Sequence, residues 1–321
     1  MKVLVTGAAG FIGSRLSRAL LERGDNVVGL DNFDPYYDIA LKVRHLSALD
    51  SSRFRLVRGD LRDAPLLRTL FEAEGFEAVA HIGALAAVRY SVEFPLVYGQ
   101  VNVQGTANLL DAARHTSMPR CVLASTGSVY GRDTPTPFDE EAPAVHPLAP
   151  YPASKRAMEL FAHSFAHLYG LQTTVLRLFN VYGPHGRPDM MPWKWSQQIS
   201  QSQPLTLFEG GRLKRDWTFI DDIVSGFISA LDRPFDFEII NLGGGQPIEN
   251  RRFVQILEGL IGQSAHILEV PCPPSEPLET FARIDKAQRL LDYAPQTGVE
   301  DGLERFVVWM KQEGHIEARR A

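Results

Sequence analysis

The chain has 321 residues, of which 45% are hydrophobic and 22% charged, and its 33 basic and 38 acidic side chains give a net charge of −5. This composition predicts a globular protein with a nucleotide-sized domain and a smaller partner, and the acidic balance argues against nucleic-acid binding. The chain has two cysteines, no run of about 18 apolar residues and no signal-peptide pattern, so we expect a cytoplasmic protein without disulfides or a membrane span.

A glycine-rich turn follows the first predicted strand, residues 2–6, and precedes a helical pattern at 14–23. Its first glycine permits a tight turn, its second lets the backbone approach a pyrophosphate at the helix N-terminus, and its third lets helix and strand pack closely. Strand, turn and helix in this order predict a dinucleotide site. The turn residues expected to line it are Gly7, Gly10, Phe11, Ile12 and Gly13.

The second predicted strand, 26–30, ends at Asp31. A carboxylate there accepts hydrogen bonds from an adenosine ribose and repels a 2′-phosphate, which favours NAD over NADP; an ordinary strand-end turn is the alternative. A third strand at 54–57 leads to a turn that could meet the adenine. The residues expected to complete the cofactor site are Asn32, Asp60 and Leu61.

Strands and helices continue to alternate as far as residue 178, which predicts a doubly wound, Rossmann-like parallel sheet with ligands at the carboxyl ends of its strands. We expect residues 1–180, joined by 217–242, to form the NAD-binding domain. Residues 181–216 and 243–321 should form a smaller α+β domain for substrate. The later strands are predicted at 78–81, 120–124, 173–178, 204–208 and 237–242, and the main helices at 39–49, 64–74, 95–115, 152–169, 285–291 and 299–311.

Tyr151 and Lys155 are spaced i,i+4 at the start of a predicted helix, so one turn brings them to the same face. A nearby cation favours a phenolate, which would lower the pKa of Tyr151 and make it a general base; a solvated helix face is the alternative. Thr126 and Ser128 follow a strand and could hydrogen-bond a substrate oxygen, although both residues are also common in turns. Asn102 is either a satisfied core amide or an active-site organiser.

Three features of the second half have simpler alternatives. His163 and His167 are spaced i,i+4, as in some zinc sites, but no third ligand is evident and we expect no metal. The loop 210–216 combines glycines with three cations, which suits a diphosphate, with an exposed basic loop as the alternative. Asp221 and Asp222 are expected to cap the helix that follows them.

Taken in order, these motifs resemble those of the extended short-chain dehydrogenase/reductase family, which includes NAD-dependent nucleotide-sugar epimerases, dehydratases and decarboxylases. The motifs are residues 7–13, 60–61, 125–131, 151–155, 177–184 and 215–221. Within this family the chain is most similar to the UDP-glucuronate 4-epimerases. That similarity lies in residues 31–38, 88–91, 183–190 and 214–222.

The resemblance implies reversible oxidation at C4 of a UDP-sugar, with Tyr151 taking the hydroxyl proton and Lys155 holding the nicotinamide ribose. A 4-keto sugar would then turn over and receive the same hydride on its other face. The resemblance also implies a homodimer formed through helices near 95–115 and 152–169. The implied substrate residues are Thr126, Tyr151 and Asn180 around the sugar, Arg187 with Arg89 at the hexuronate end, Arg215 at the diphosphate and Phe208 near the uracil, with Ser128 as a further contact.

Residues that depart from the family pattern define the alternatives. Decarboxylases of this family usually carry Glu, and dehydratases Asp-Glu, after the hydroxyl that matches Thr126, whereas this chain has Gly127 and Ser128. Epimerisation of UDP-glucuronate is therefore favoured over its decarboxylation and over epimerisation of a neutral UDP-hexose. The intact Tyr151 and Lys155 argue against a non-catalytic cofactor sensor.

Three further departures concern the substrate contacts. Asn180 stands where glucuronate-specific relatives often have Thr, and Arg283 where many relatives have an acid. The segment 272–276 lacks the arginine that galactose epimerases use as a second phosphate ligand. The details of carboxylate and diphosphate binding are therefore open at this point.

Overall fold

The computed structural model of the chain describes residues 1–49 and 51–317. The sequence of residues 317–321 predicts a frayed polar tail, and all of it except residue 317 lies outside the described part. The strands are β1 (Lys2–Thr6), β2 (Asn26–Asp31), β3 (Phe54–Arg58), β4 (Ala78–His81), β5 (Arg120–Thr126), β6 (Thr173–Leu178), β7 (Val181–Tyr182), β8 (Pro204–Phe208), β9 (Lys214–Asp216), β10 (Thr218–Phe219), β11 (Phe237–Leu242), β12 (Pro247–Glu249), β13 (His266–Val270) and β14 (Glu279–Thr280).

The helices follow the predicted alternation closely, and most predicted ends are within two residues of the observed ones. They are α1 (Phe11–Arg23), α2 (Ile39–Ser47), α3 (Ala64–Glu74), α4 (Val88–Glu93), α5 (Pro95–Tyr98), α6 (Gly105–Arg114), α7 (Pro150–Tyr169), α8 (Met191–Ser200), α9 (Ile220–Asp232), α10 (Asn250–Ile261), α11 (Asp285–Leu291) and α12 (Val299–Gln312). No helix in the described part of the chain is long and apolar enough to cross a membrane.

A seven-stranded sheet in the order β11-β6-β5-β4-β1-β2-β3 forms the centre of the molecule. Every pairing in it is parallel, which confirms the predicted doubly wound sheet. Because β1 lies between β2 and β4, the strand order reverses on either side of it. A crevice at the carboxyl ends of the strands therefore opens beside the β1–α1 turn.

The central strands are buried on both faces. Val3 and Val5 of β1 belong to a core that faces α1 and α9, whereas Leu4 between them packs with Val28 and Val79 in a second core. This alternation follows from the two-residue period of a strand. Burial of each such side chain contributes roughly 2 kcal/mol, so both layers of helices hold the sheet edge in place.

Smaller strands and the late helices form the wall opposite this edge. Strand β8 pairs with β13, and β9 lies between β12 and β14. Helices α8, α10 and α12 pack behind them around Trp195, Trp217 and Phe253. The strand β11 returns to the large sheet beside β6.

The long helix predicted for 95–115 is interrupted. Between α5 and α6 the backbone forms a π-helical segment, Gly99–Gln104. Asn102 in this segment is buried and hydrogen-bonded through its carboxamide to Leu85 and Ser154. A wide turn of this kind often marks a functional site, and here it lies beside the first turn of α7.

The prediction that Asp221 and Asp222 cap α9 is wrong. The helix begins at Ile220, so both acids lie within its first turn and neither caps it. Asp222 instead accepts a hydrogen bond from the Gln296 backbone N–H (2.8 Å), and Asp221 pairs with Arg15 of α1 (2.9 Å). Both acids therefore tie α9 to neighbouring elements.

Candidate active site

A cavity of about 740 Å³ opens at the carboxyl ends of the central strands. It runs from the β1–α1 turn, past the first turn of α7, to the end of β8 and to α8. Every site residue predicted from the sequence lines this cavity except Arg215. The lining residues that were predicted are Gly7, Gly10, Phe11, Ile12, Gly13, Asp31, Asn32, Asp60, Leu61, Arg89, Thr126, Ser128, Tyr151, Lys155, Asn180, Arg187 and Phe208.

The glycine turn leaves no room for larger residues. Gly7 has φ +68°, and a Cβ atom there would lie 2.8 Å from Gly83 Cα. At Gly13 a Cβ atom would lie 2.1 Å from the Gly7 carbonyl oxygen. Helix α1 starts without a capping side chain and without an acid in its first turn, so its free N–H groups suit the pyrophosphate of a dinucleotide.

Asp31 is fixed at the cavity by the backbone. Its Oδ2 accepts the Ala9 N–H (3.0 Å) and its Oδ1 accepts the Phe33 N–H (2.8 Å). Each carboxylate oxygen keeps a second acceptor position. An adenosine ribose hydroxyl fits such a group, so the observed residues fit NAD.

Asp60 and Asn32 form a second polar group at this end of the cavity. The Asn32 amide donates to Asp60 Oδ2 (2.8 Å). The hydrogen-bonded guanidinium of Arg62 holds the pKa of Asp60 far below its usual value. Asp60 is therefore a fixed anion and acceptor near the end of β3.

The phenol of Tyr151 lies in the middle of the cavity wall and is buried. Burial raises the pKa of Tyr151, while the neighbouring Thr126 hydroxyl and the Arg187 guanidinium act in the opposite direction. The sequence led us to expect a lowered pKa because of Lys155. In the protein alone, desolvation of the phenolate outweighs the opposing groups.

Lys155 lies on the same face of α7 and is buried as well. Its Nζ donates a hydrogen bond to the Ala124 carbonyl oxygen at the end of β5 (2.8 Å). Burial lowers the pKa of Lys155 to about 8, and the carboxylate of Glu159 opposes this shift. The ammonium form therefore still predominates at neutral pH.

Asn102 connects the π-helical segment to the tyrosine. Its carboxamide accepts the Leu85 N–H and donates to the Leu85 carbonyl and to Ser154 Oγ, each at 2.9 Å. Ser154 Oγ in turn donates to the Tyr151 carbonyl oxygen (2.7 Å). The sequence left two interpretations of Asn102 open, and both apply. Asn102 is a core amide with all its hydrogen bonds satisfied, and it holds the start of α7 in place.

Glu159, which the sequence did not single out, anchors α7 to two strands. The carboxylate is fully buried and accepts hydrogen bonds from Ser125 Oγ (2.5 Å) and from Nε and Nη2 of Arg177 (3.0 and 2.8 Å). Glu159 follows Lys155 by four residues, so the sequence could have shown that both side chains lie on the same face of the helix. The pairing with an arginine inside β6 was not visible from the sequence.

Gly127 follows Thr126 and packs against a buried ring. A Cβ atom at Gly127 would lie 2.7 Å from the Phe179 ring, and that ring is itself buried against Tyr130 and Phe138. The backbone at this position therefore excludes any larger side chain unless the ring moves.

Arg187 and Arg89 lie in different parts of the cavity. Arg187 donates through Nε and Nη2 to Asp189 (2.9 and 2.6 Å), and no described residue accepts a hydrogen bond from its Nη1. The guanidinium is close enough to Tyr151 to influence its pKa. Arg89 instead lies over the Phe208 ring, at 5.3 Å from its centroid.

Arg215 lies behind the cavity wall. Its Nη2 donates to Glu276 (3.1 Å), which lines the cavity, and its Nη1 donates to the Leu278 carbonyl (3.3 Å). The cations of the 210–216 loop all have acidic partners. These pairs are Arg212–Glu209, Lys214–Glu279 and Arg215–Glu276.

Several cavity residues were not predicted as site residues, although three of them, Tyr36, Tyr37 and Asp189, lie in segments that carry the family resemblance. The lining residues that were not predicted include Tyr36, Tyr37, Lys42, Asp189, Lys194, Trp195, Asn250, Glu276 and Thr280. Within the described residues, no group of three or more His, Cys, Asp and Glu side chains is arranged to hold a metal. The rings of His163 and His167 stack on each other, and His163 packs against Phe237.

The parallel sheet, the glycine turn beside Asp31 and the buried Tyr151 and Lys155 define a class of protein, the dinucleotide-binding α/β enzymes with a tyrosine–lysine site. Residues 3–243 match the model of the NAD dependent epimerase/dehydratase family. The chain belongs to this family, and the resemblance found in the sequence is confirmed.

Individual relatives cover nearly the whole chain. A UDP-glucuronate 4-epimerase of Thermodesulfobacterium geofontis is 42% identical over 96% of each chain. The UDP-glucuronic acid 4-epimerase of Bacillus cereus, solved with UDP-glucuronic acid and NAD, is 36% identical with a TM-score of 0.91 over 98% of this chain and 100% of that one.

A relative with a different activity superposes equally well. The dTDP-glucose 4,6-dehydratase of Streptomyces venezuelae, solved with NAD bound, is 33% identical and also has a TM-score of 0.91, over 99% of each chain. The fold alone therefore does not distinguish epimerases from dehydratases. The side chains that line the cavity are therefore the basis for distinguishing the two activities.

Proposed function

We propose that this protein is an NAD-dependent 4-epimerase that interconverts UDP-glucuronate and UDP-galacturonate through a transient 4-keto sugar. The observation that carries the proposal is the Arg187 guanidinium in the same cavity as Tyr151 and Lys155. A hexuronate carboxylate needs a cation or several donors when it leaves water, whereas a neutral hexose does not. The relatives that act on UDP-glucuronate support the same substrate.

Tyr151 accepts the proton of the sugar 4-hydroxyl and later returns it, and the Thr126 hydroxyl supports the same oxygen. When bound, NAD supplies the hydride acceptor and, after the keto sugar has turned over, the hydride donor. Because burial raises the pKa of Tyr151, proton removal depends on positive charge nearby. Lys155, held at the Ala124 carbonyl, supplies part of this charge and binds the nicotinamide ribose.

The cofactor and substrate take opposite halves of the cavity. We assign residues 1–180 with 217–242 to NAD and residues 181–216 with 243–321 to the UDP-sugar. This assignment rests on the position of the glycine turn and Asp31 at one end of the cavity and of β8 and α8 at the other. Gly10, Phe11, Ile12, Asn32, Asp60 and Leu61 complete the cofactor half.

The two arginines that line the cavity serve different parts of the substrate. Arg187 lies near Tyr151 and faces the hexuronate carboxylate, with Asn180 and Ser128 around the sugar. Because Arg89 lies over Phe208, we place it at the uridine diphosphate and not at the hexuronate end, where the resemblance had put it beside Arg187. Arg215 joins the diphosphate once the substrate competes with Glu276 for its guanidinium.

A UDP-glucuronate decarboxylase is the nearest alternative. Decarboxylases of this family carry an acid directly after the threonine, and at that position Gly127 has no space for a side chain because of the Phe179 ring. This observation favours epimerisation, because the acid that moves the proton in the rival reactions has no place at this position.

We propose that the protein forms a homodimer, in which a second copy of the chain binds to an exposed apolar surface. Large apolar side chains are exposed on α7 and in the segment 92–96, which runs from the end of α4 into α5. They are Val92, Phe94, Leu96, Leu160, Phe161, Leu168 and Tyr169. A homodimer through these helices would cover them. Both cysteines are free, which fits the reducing cytoplasm in which we place the enzyme.

Product analysis by NMR tests the proposal. Purified protein given UDP-glucuronate without added NAD⁺ should form UDP-galacturonate, and UDP-glucose should react far more slowly. Release of CO₂ with a UDP-pentose as the main product would overturn the proposal in favour of the decarboxylase.

A further inference from the structure

Lys42 occupies an unusual position for a lysine. It lies on α2, whose buried residues are Lys42 and His45. The side chain is 8% exposed and lines the cavity, and its Nζ lies 3.8 Å from Asp31 Oδ1. The ammonium also lies over the Tyr37 ring, 5.1 Å from its centroid. The inward face of α2 thus directs a cation to the end of β2.

The donors of this ammonium have no acceptor within the described residues. At 3.8 Å the Asp31 carboxylate offsets the charge of Lys42 but lies beyond hydrogen-bond distance. The rest of the side chain is buried, and the ammonium reaches only the space of the cavity. By contrast, His45 on the same face is satisfied, because its Nδ1 donates to the Ala9 carbonyl (3.0 Å). Lys42 therefore lacks a partner that a ligand in the cavity would provide.

Asp31 and Lys42 offer complementary groups to such a ligand. The carboxylate is held by Ala9 and Phe33 and can only accept hydrogen bonds, whereas the ammonium can only donate them. A hydroxyl group does both. We propose that the adenosine ribose diol donates a hydrogen bond to Asp31 and accepts one from Lys42, and that the two side chains together set the preference for NAD over NADP.

This proposal rests on NAD as the cofactor and predicts an asymmetry between the two residues. With both present, the local charge is balanced and a neutral diol is favoured. Without Asp31, the remaining buried cation should favour the anionic 2′-phosphate of NADP. Without Lys42, the diol loses one charge-assisted hydrogen bond and no phosphate site is created.

Calorimetric titration of nucleotide-free protein with NAD⁺ and NADP⁺ tests this asymmetry in the variants K42M, D31S and D31S/K42M. We expect K42M to bind NAD⁺ about tenfold more weakly. D31S should shift the affinity ratio toward NADP⁺ by about 100-fold or more, and D31S/K42M should lose at least about tenfold of the NADP⁺ affinity of D31S. The matched control is K286M, because Lys286 is partly buried in a pair with Glu238 and lies outside the cavity.

Two results would overturn the role of Lys42. One is NAD⁺ binding by K42M within twofold of wild type, and the other is equal NADP⁺ affinity of D31S and D31S/K42M. Titration with UDP shows that each variant is folded, since its site lies in the other half of the cavity. If wild type bound UDP but no NAD⁺, the proposed function itself would fail, and the Lys42 assignment with it.

Discussion

In the proposed mechanism Tyr151 must lose its own proton before it can take one from a sugar hydroxyl, and its burial opposes that loss. The Thr126 hydroxyl and the Arg187 guanidinium counter this effect in the protein, and in the proposed mechanism the Lys155 ammonium and the positive charge of the cofactor add to them. The sequence identified the tyrosine and the lysine through their spacing. It could not show that desolvation is the largest effect on the phenol, because burial depends on the helices and loops that cover the cavity.

Replacing Tyr151 with Phe should lower turnover of UDP-glucuronate by about 10²- to 10⁴-fold, because the proton acceptor is lost. The variant should keep its bound nucleotide, since the glycine turn and Asp31 are unchanged. NMR rates and the nucleotide released on denaturation measure the two effects. Turnover within tenfold of wild type would remove Tyr151 from the role of general base.

Arg187→Met and Arg89→Met should separate the two ends of the substrate. R187M should weaken UDP-glucuronate binding about 10- to 100-fold, the value of a charged hydrogen bond, and leave the affinity for UDP near that of wild type. R89M should weaken UDP itself about tenfold and leave the preference for UDP-glucuronate over UDP-glucose unchanged. Calorimetry with the three ligands measures both. A changed sugar preference in R89M would place Arg89 at the carboxylate instead.

Helix α7 carries Tyr151 and Lys155, and the elements around it hold both residues in place. Glu159 joins the helix to β5 and β6, and Asn102 joins it to the π-helical segment. The ends of α7 and of the strands were predictable because they follow local periodicity and turn residues. The Glu159–Arg177 pair and the wide turn at Asn102 were not, since each depends on residues far apart in the chain that only the folded sheet brings together.

Substitution of Glu159 with Gln tests this attachment. It leaves the Arg177 guanidinium buried without its counter-ion, and removal of one partner of a buried pair costs about 3–5 kcal/mol. Urea unfolding should show this loss, and the double substitution E159M/R177M should recover much of it. D111N, which breaks the partly exposed Arg114–Asp111 pair, should cost less than about 1 kcal/mol. A similarly small loss in E159Q would show that the pair does not anchor α7.

At the scale of the whole molecule, two buried histidines, His45 and His81, and the partly buried His185 connect stability to pH. Burial lowers the pKa of His81 to about 3 and that of His185 to about 4, and it also lowers the pKa of His45. His81 lies between the hydroxyls of Thr6 (2.8 Å) and Thr106 (2.9 Å). These contacts join β1, β4 and α6 at the edge of the sheet, so the protonation state of His81 concerns the fold as a whole.

The free energy of unfolding should therefore decrease as the pH falls below about 6.5. In that range the unfolded chain binds protons at His81 and His185 and the folded protein does not, so these two each contribute a loss of up to about 1.4 kcal/mol per pH unit. His45 acts in the same direction. Urea unfolding between pH 7.5 and 5 measures the slope. H81Q should reduce it, whereas H146Q, at an exposed position, should not. A slope unchanged in H81Q would show that His81 is protonated in the folded protein.

The contact between Gly127 and Phe179 limits how this enzyme could evolve a new reaction. Dehydratases and decarboxylases share its fold, so an acid after Thr126 is the shortest route from one chemistry to another. Here that step meets the Phe179 ring, which is buried in one cluster with Tyr130 and Phe138, and a single substitution would disturb the site before it added an activity. A lineage leaving epimerisation would also have to make room at Phe179, and truncation of this buried ring costs about 3–5 kcal/mol. The packing that holds the Thr126 turn in place thus also makes a change of reaction costly in stability.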